Sequence, residues 1–207
     1  MAKKSEDHIN RCPSPTGALL IIGGAEDRQN GSKESEDFKE RHLEVLNRFL
    51  KLCNVKVPII EVVTTAGSQE PEETYQEYKA SFESICECTV NHIHHDDRDQ
   101  INLEDISERL NAAHGIFLTG GDQLRITSVY GGTEFLSLLK ERYIYEKLVI
   151  AGTSAGAMAM STPMIYAGAG RDEMIAGNVK VTMGLEFLKD VCVDTHFVDR
   201  GRFVRMA

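Results

Sequence analysis

Short apolar runs alternate with longer segments of helical period along most of the chain. Ala18 to Ile22, Pro58 to Thr64, Thr89 to Ile93, Gly115 to Thr119 and Leu148 to Ala151 each hold a compact apolar run, with Val191 to Val193 a shorter sixth. Runs of this length, bounded by turn residues, read as buried strands. Between the first two, Ser35 to Cys53 sets Phe38, His42, Val45, Leu46, Phe49 and Leu50 on one face and charges on the other, which predicts an amphipathic helix. Glu72 to Ile85, Leu103 to Ala113 and Thr133 to Tyr145 repeat that period, the last after the Gly131-Gly132 break. Strands alternating with helices predict an α/β fold, a mostly parallel sheet flanked by helices.

Composition narrows the class without changing this picture. The 207 residues are 42% hydrophobic and 27% charged, which suits one globular core and excludes collagen-like, disordered and membrane-spanning chains. No apolar run approaches the ~18 residues that a membrane-spanning helix needs. Lys plus Arg number 23 against 32 Asp plus Glu, a net charge of −9 with no cationic stripe, which sets nucleic acid aside as a partner. Met1 to Thr16 form a polar tail unlike a secretory signal, so a cytoplasmic protein is expected, with its domain over residues 17–207. Cys12, Cys53, Cys86, Cys88 and Cys192 are odd in number and lack CxxC spacing, which points to reduced thiols. No nucleotide fingerprint or P-loop occurs, and no cofactor is expected.

In open α/β sheets the working residues gather at the carboxyl ends of the strands. Those ends carry Gly23-Gly24-Ala25-Glu26-Asp27, Thr64-Thr65-Ala66-Gly67, Thr119-Gly120-Gly121-Asp122-Gln123, Gly152-Thr153-Ser154-Ala155-Gly156 and Asp194-Thr195-His196. The fourth is a G-x-S-x-G sequence between an apolar strand and a small-residue helix, the setting of a nucleophile elbow. Its glycines let strand and helix approach while the serine hydroxyl projects. The helix N-terminus and the Ala155 amide can stabilise negative charge on an attacked carbonyl oxygen. Read without its context, Ser154 is equally an N-cap in a glycine-rich turn.

A serine nucleophile needs a base and an orienting acid from other loops of the same edge. His196 follows the run Val191 to Val193, forty-two positions after Ser154, and is the candidate base. His8 lies in the tail, His42 on a helix and His114 at the wrong end of a strand. Asp172 and Glu173, side by side after the elbow helix, are both candidates for the acid or else form a solvated turn. His92, His94, His95, Asp96 and Asp97 have the ligand types of a divalent-ion site but no supporting motif, and a strand ending in a polar loop explains them more simply.

Gly23-Gly24-Ala25-Glu26-Asp27, Phe117-Leu118-Thr119-Gly120-Gly121-Asp122-Gln123, Gly152-Thr153-Ser154-Ala155-Gly156-Ala157 and His196-Phe197 with Arg200-Gly201-Arg202 stand in an order that resembles the serine-peptidase family of cyanophycinase and peptidase E. The resemblance runs from residue 17 to the end. It implies a fold like that of class I glutamine amidotransferases, with serine in place of the elbow cysteine. The implied chemistry is hydrolysis of cyanophycin, a polyaspartate carrying arginine on its β-carboxyls, to β-Asp-Arg dipeptides, or of a short β-aspartyl peptide. It implies a homodimer as well.

By the same resemblance Ser154 is the nucleophile, His196 the base, and Gly121 and Ala155 the oxyanion donors. The acid position falls on Asp172 without a gap and on Glu173 with a one-residue difference. Gln123, Asp194, Thr195, Arg200, Arg202 and Arg205 match substrate-binding positions. Planar guanidinium groups suit the carboxylates of an aspartyl backbone, and Asp194 suits an arginyl guanidinium; an ordinary charged helix face is the other reading of the three arginines. Two departures stand out. Thr195 occupies a position where the family commonly has glutamine, and the chain stops eleven residues after His196, where the family continues, so a domain lacking its C-terminal part is expected. Two rival readings remain: an esterase of the α/β-hydrolase type, whose acid normally follows the elbow at longer range, and an inactive binding homologue.

Overall fold

A computed structural model describes residues 13–24, 43–67, 70–167 and 179–196. Five strands, β1 (Ala18–Ile22), β2 (Ile59–Val63), β3 (Thr89–Ile93), β4 (Gly115–Leu118) and β5 (Val149–Thr153), form a wholly parallel sheet in the order β1-β5-β4-β2-β3. The expected runs therefore become strands within a residue or two of their predicted bounds. Every residue of β4 and β5 is buried, as befits interior strands of a sheet covered on both faces.

Alternation along each strand divides the core into two layers. On one face Leu46, Phe49 and Leu50 of α1 (Glu44–Cys53) and Tyr75, Tyr78 and Phe82 of α2 (Pro71–Ile85) pack on Ile60, Val62, Phe117 and Ala151. Phe49 and Phe82 both meet Phe117 edge-on, with ring centroids 5.6 Å apart, a favourable aromatic geometry. On the other face α3 (Leu103–Ala112), α4 (Gln123–Tyr130) and α5 (Glu134–Tyr145) bury Ile106, Leu110, Ile126, Val129, Leu136 and Leu139 against Val63, Ile116, Leu118 and Ile150.

The helix starts follow local chemistry. Asn102, Asp122 and Thr133 each accept a backbone N–H of the first turn through their side-chain oxygens, and Pro71 occupies the first turn of α2. Of the helix predicted over Ser35 to Cys53, α1 supplies the final ten residues; Phe38 and His42 lie outside the described residues, and Val45 is exposed instead of facing the core.

The expected sixth strand, Val191 to Val193, is corrected. Val191 makes an isolated antiparallel bridge to Thr162, and the segment joins no strand of the central sheet. Three residues between Asp190, at φ 60°, and Asp194 are too few and too polar in their flanks to sustain a ladder. After the short helix α6 (Ala155–Ala159), β6 (Ser161–Thr162) instead pairs with β9 (Leu188–Lys189), and β7 (Met164–Ala167) with β8 (Lys180–Thr182).

Candidate active site

Ser154 sits where β5 turns into α6, at φ 50° and ψ −113°, a conformation that a residue with a side chain adopts only under strain. Its backbone is held at both ends: its N–H donates to Ile22 O at 3.1 Å, and its carbonyl accepts from Met158 N–H at 3.0 Å. The turn is possible because α6 lies directly on β4. A Cβ at Gly156 would stand 2.3 Å from Leu118 O, so no residue with a side chain fits there.

His196 reaches the same point from an irregular segment rather than a strand exit. Its N–H donates to Gly23 O at 3.3 Å, which ties the segment to the end of β1. Its Nε2 lies 2.7 Å from Ser154 Oγ. The sequence thus brings together, across forty-two positions, a hydroxyl and an imidazole in hydrogen-bond contact. The β4 loop closes over them: a Cβ at Gly120 would stand 3.4 Å from Ser154 Cβ, and Gly121 follows at φ 144°. Ala155, the first residue of α6, is buried beside Ser154.

The remaining expected residues divide between the described and the undescribed parts of the chain. Asp194 is half-buried, and its Oδ1 accepts the Thr195 N–H at 2.9 Å. Thr195 is buried, with its hydroxyl 3.3 Å from Met158 Sδ. Gln123 opens α4 and donates through Nε2 to Ile165 O of β7 at 3.0 Å. Asp172, Glu173, Arg200, Arg202 and Arg205 lie outside the described residues, as do Glu26 and Asp27.

The profile of Peptidase family S51 matches residues 30–206, most of the chain and both members of the serine–histidine pair. The chain belongs to that family. The cyanophycinase of Nostoc sp. is 32% identical to this S51 chain over 197 residues, covering 95% of it and 62% of the relative. The cyanophycinase of Geminocystis herdmanii is 31% identical over 91% of this chain and 65% of its own length, and that of Synechococcus elongatus 32% over 92% and 55%. The chain therefore spans between about half and two thirds of these relatives. A peptidase from an acI-B1 actinobacterium superposes with a TM-score of 0.61 at 19% identity, covering 94% of this chain and 73% of that one. A putative peptidase E from Listeria monocytogenes EGD-e also gives 0.61, at 17% identity and with 94% and 87% covered. These two likenesses carry the fold.

Elsewhere on the carboxyl edge of this S51 chain, the histidines that suggested a metal site are joined by hydrogen bonds. Thr64 Oγ1 lies 2.7 Å from His92 Nε2 and 2.9 Å from His94 Nδ1, and His95 Nδ1 lies 3.0 Å from Tyr130 Oη. Among the described residues no group of three His, Cys, Asp or Glu side chains is placed to hold a metal ion. Burial pushes the His92 and His95 imidazoles below their ordinary range, for His92 against the pull of the Glu72 carboxylate 3.2 Å from its Nδ1. His114, at the amino edge, accepts the Ile59 N–H through Nδ1 at 3.1 Å.

Sequence reasoning missed the turn after β2 as a neighbour of the Gly120-Gly121 loop, and with it Arg125 of α4. The available signal was a basic residue two positions beyond Gln123 on a helix that starts at the double-glycine motif.

Proposed function

We propose that this S51 chain is a serine peptidase that hydrolyses cyanophycin to β-Asp-Arg dipeptides through an acyl-enzyme. The 2.7 Å contact between Ser154 Oγ and His196 Nε2 carries this reading. With Nε2 unprotonated, His196 takes the hydroxyl proton as Ser154 attacks the peptide carbonyl, and the amides of Gly121 and Ala155 receive the developing oxyanion. His196 then gives its proton to the leaving amine. A water attacks the resulting ester, again passing its proton to His196, and Ser154 leaves with that proton restored. Asp172 takes the part of the acid at Nδ1, with Glu173 as the alternative.

The substrate class rests on the likeness to cyanophycinases over nearly the whole chain. It is supported by the charge pattern, since three arginines between residues 200 and 205 would offer planar forks to aspartyl carboxylates in a chain of net charge −9. In this proposal Asp194 pairs with the substrate guanidinium, Gln123 stands at the edge of the pocket and Thr195 forms its wall beside the base. No helix among the described residues is long and apolar enough to cross a membrane. A cytoplasmic homodimer completes the proposal and is open to test by fractionation and sedimentation.

Incubation with cyanophycin, with dipeptide release followed by mass spectrometry, tests the reading. Release that disappears in Ser154→Ala and His196→Ala supports it, whereas wild-type turnover in Ser154→Ala would dismiss Ser154 as nucleophile. Hydrolysis confined to short β-aspartyl peptides would move the substrate class, and action on short nitrophenyl esters alone would favour an esterase.

A further inference from the structure

The Gly120-Gly121 loop does not stand by itself; its outer side leans on the turn after β2. A Cβ on Gly121 would be 2.3 Å from Ala66 O and 2.9 Å from the Gly67 nitrogen, so the backbone of residues 66–67 fills the space where a side chain would lie. The same Ala66 carbonyl accepts the Asp122 N–H at 2.9 Å. The orientation of the Gly121 peptide is therefore set by where the turn is held.

That turn is held through Thr65, which is fully buried. Its hydroxyl lies 2.7 Å from Tyr130 Oη and accepts the His95 N–H at 3.2 Å. Its carbonyl accepts from Arg125 Nε at 3.2 Å, while Arg125 Nη2 donates to Asp96 Oδ1 at 3.0 Å. Arg125 belongs to α4, which begins directly after the loop and is capped by Asp122, so its guanidinium links the far side of the loop to the turn that supports it. A planar fork donates to the carbonyl and the carboxylate in two fixed directions at once, whereas a lysine ammonium is a single point of charge on a flexible stem.

Resting on the reading of Ser154 as nucleophile and of the Gly121 amide as oxyanion donor, we propose that Arg125 is a positioning residue for the oxyanion hole. It acts through the Thr65 carbonyl and is itself steadied by Asp96. It touches no reacting atom. Its effect is to keep the Gly121 N–H aimed at the place where negative charge develops, and an error of about 1 Å in such a group costs on the order of 10²-fold in rate.

The experiment compares Arg125→Ala with the wild type in two measurements, the rate at which a fluorophosphonate labels Ser154 and hydrogen exchange in peptides spanning residues 119–122. The variant is expected to label about tenfold more slowly or worse, to exchange faster across 119–122, and to recover part of its labelling rate in added ethylguanidinium. On a turned-over substrate the loss should fall on kcat, with KM within about twofold. Should Arg125→Ala fail to fold, Arg125→Lys, which keeps the charge and loses the fork, is expected to show the same slowing. Equal labelling in a folded variant, with the wild type labelled, overturns the positioning role and leaves Ser154 its own. A wild type that takes no label removes the nucleophile instead, and exchange then decides alone: faster exchange in the variant upholds the contact, and equal exchange ends it.

Discussion

Gly24 lies against the imidazole of His196: a Cβ on it would stand 2.4 Å from Cε1 and 2.6 Å from Nε2. It is also at φ 99°, which an L side chain rarely adopts. Because Nε2 is the atom in contact with Ser154, any methyl here must push the ring out of the 2.7 Å hydrogen bond. Gly24→Ala is therefore expected to reduce fluorophosphonate labelling and peptide hydrolysis by about 10²-fold or more. Gly23→Ala is the control, since nothing lies within 4 Å of the added carbon. Equal labelling in the two variants would mean that the ring is not held by this contact.

The elbow serine is legible in the sequence and the residues that support its surroundings are not, for one physical reason. Strand bounds, helix caps and the Gly-x-Ser-x-Gly bend are local: each is written in residues a few positions apart, and so β1, β3 and the elbow emerge as expected. Helix α4 carries no clear helical period because its face is mixed, with Gln123, Arg125, Thr127 and Ser128 among only three buried residues, Ile126, Val129 and Tyr130. The Val191 to Val193 run misled because three apolar residues carry a propensity but no partner. The clamp on Thr65 joins residues sixty positions apart through a backbone carbonyl, an acceptor that every residue type presents equally. No pattern of side chains marks such a bond before the fold brings it together.

The positive φ at Ser154 gives a stability prediction with an unusual sign. Ser154→Ala and Ser154→Gly lose the same hydroxyl, but only glycine accepts φ 50° and ψ −113° without strain. Glycine normally costs stability relative to alanine through the entropy of the unfolded chain. Here Ser154→Gly is expected to be more stable than Ser154→Ala by about 1 kcal/mol, because the released strain of ~1–3 kcal/mol outweighs that cost. Urea unfolding of the two variants measures the difference directly, and a less stable glycine variant would show an unstrained elbow.

Acid should weaken the fold through the histidines beside β2. Burial holds His92 and His95 below the ordinary value of 6.5, whereas in the unfolded chain both return to it. The unfolded state therefore binds protons first as the pH falls, so the contribution is complete above about 6.5 and is lost progressively as the pH drops towards the folded values. The melting temperature should decline as the pH falls below about 6.5 in the wild type, and less steeply in the double variant His92→Gln/His95→Gln. Identical slopes would assign the acid sensitivity to other groups.

The carboxylate of Glu61 is wholly buried on β2, where it accepts from Arg109 Nη2 at 2.5 Å and Asn91 Nδ2 at 2.9 Å. Arg109, 40% exposed, also donates to the His92 carbonyl at 2.8 Å, so one guanidinium ties the middle of β2 to the neighbouring strand β3. Removing it in Arg109→Met strands a charge in the interior with one amide as partner, at an expected cost of about 2–3 kcal/mol, less than for a fully buried pair because the arginine side still meets water. Removing both charges together, in Glu61→Leu/Arg109→Met, takes away the desolvation penalty along with the attraction. The double variant is expected to be more stable than Arg109→Met by about 1 kcal/mol or more. A double-mutant cycle by chemical denaturation reads this coupling, and strictly additive losses would show that Glu61 and Arg109 contribute independently.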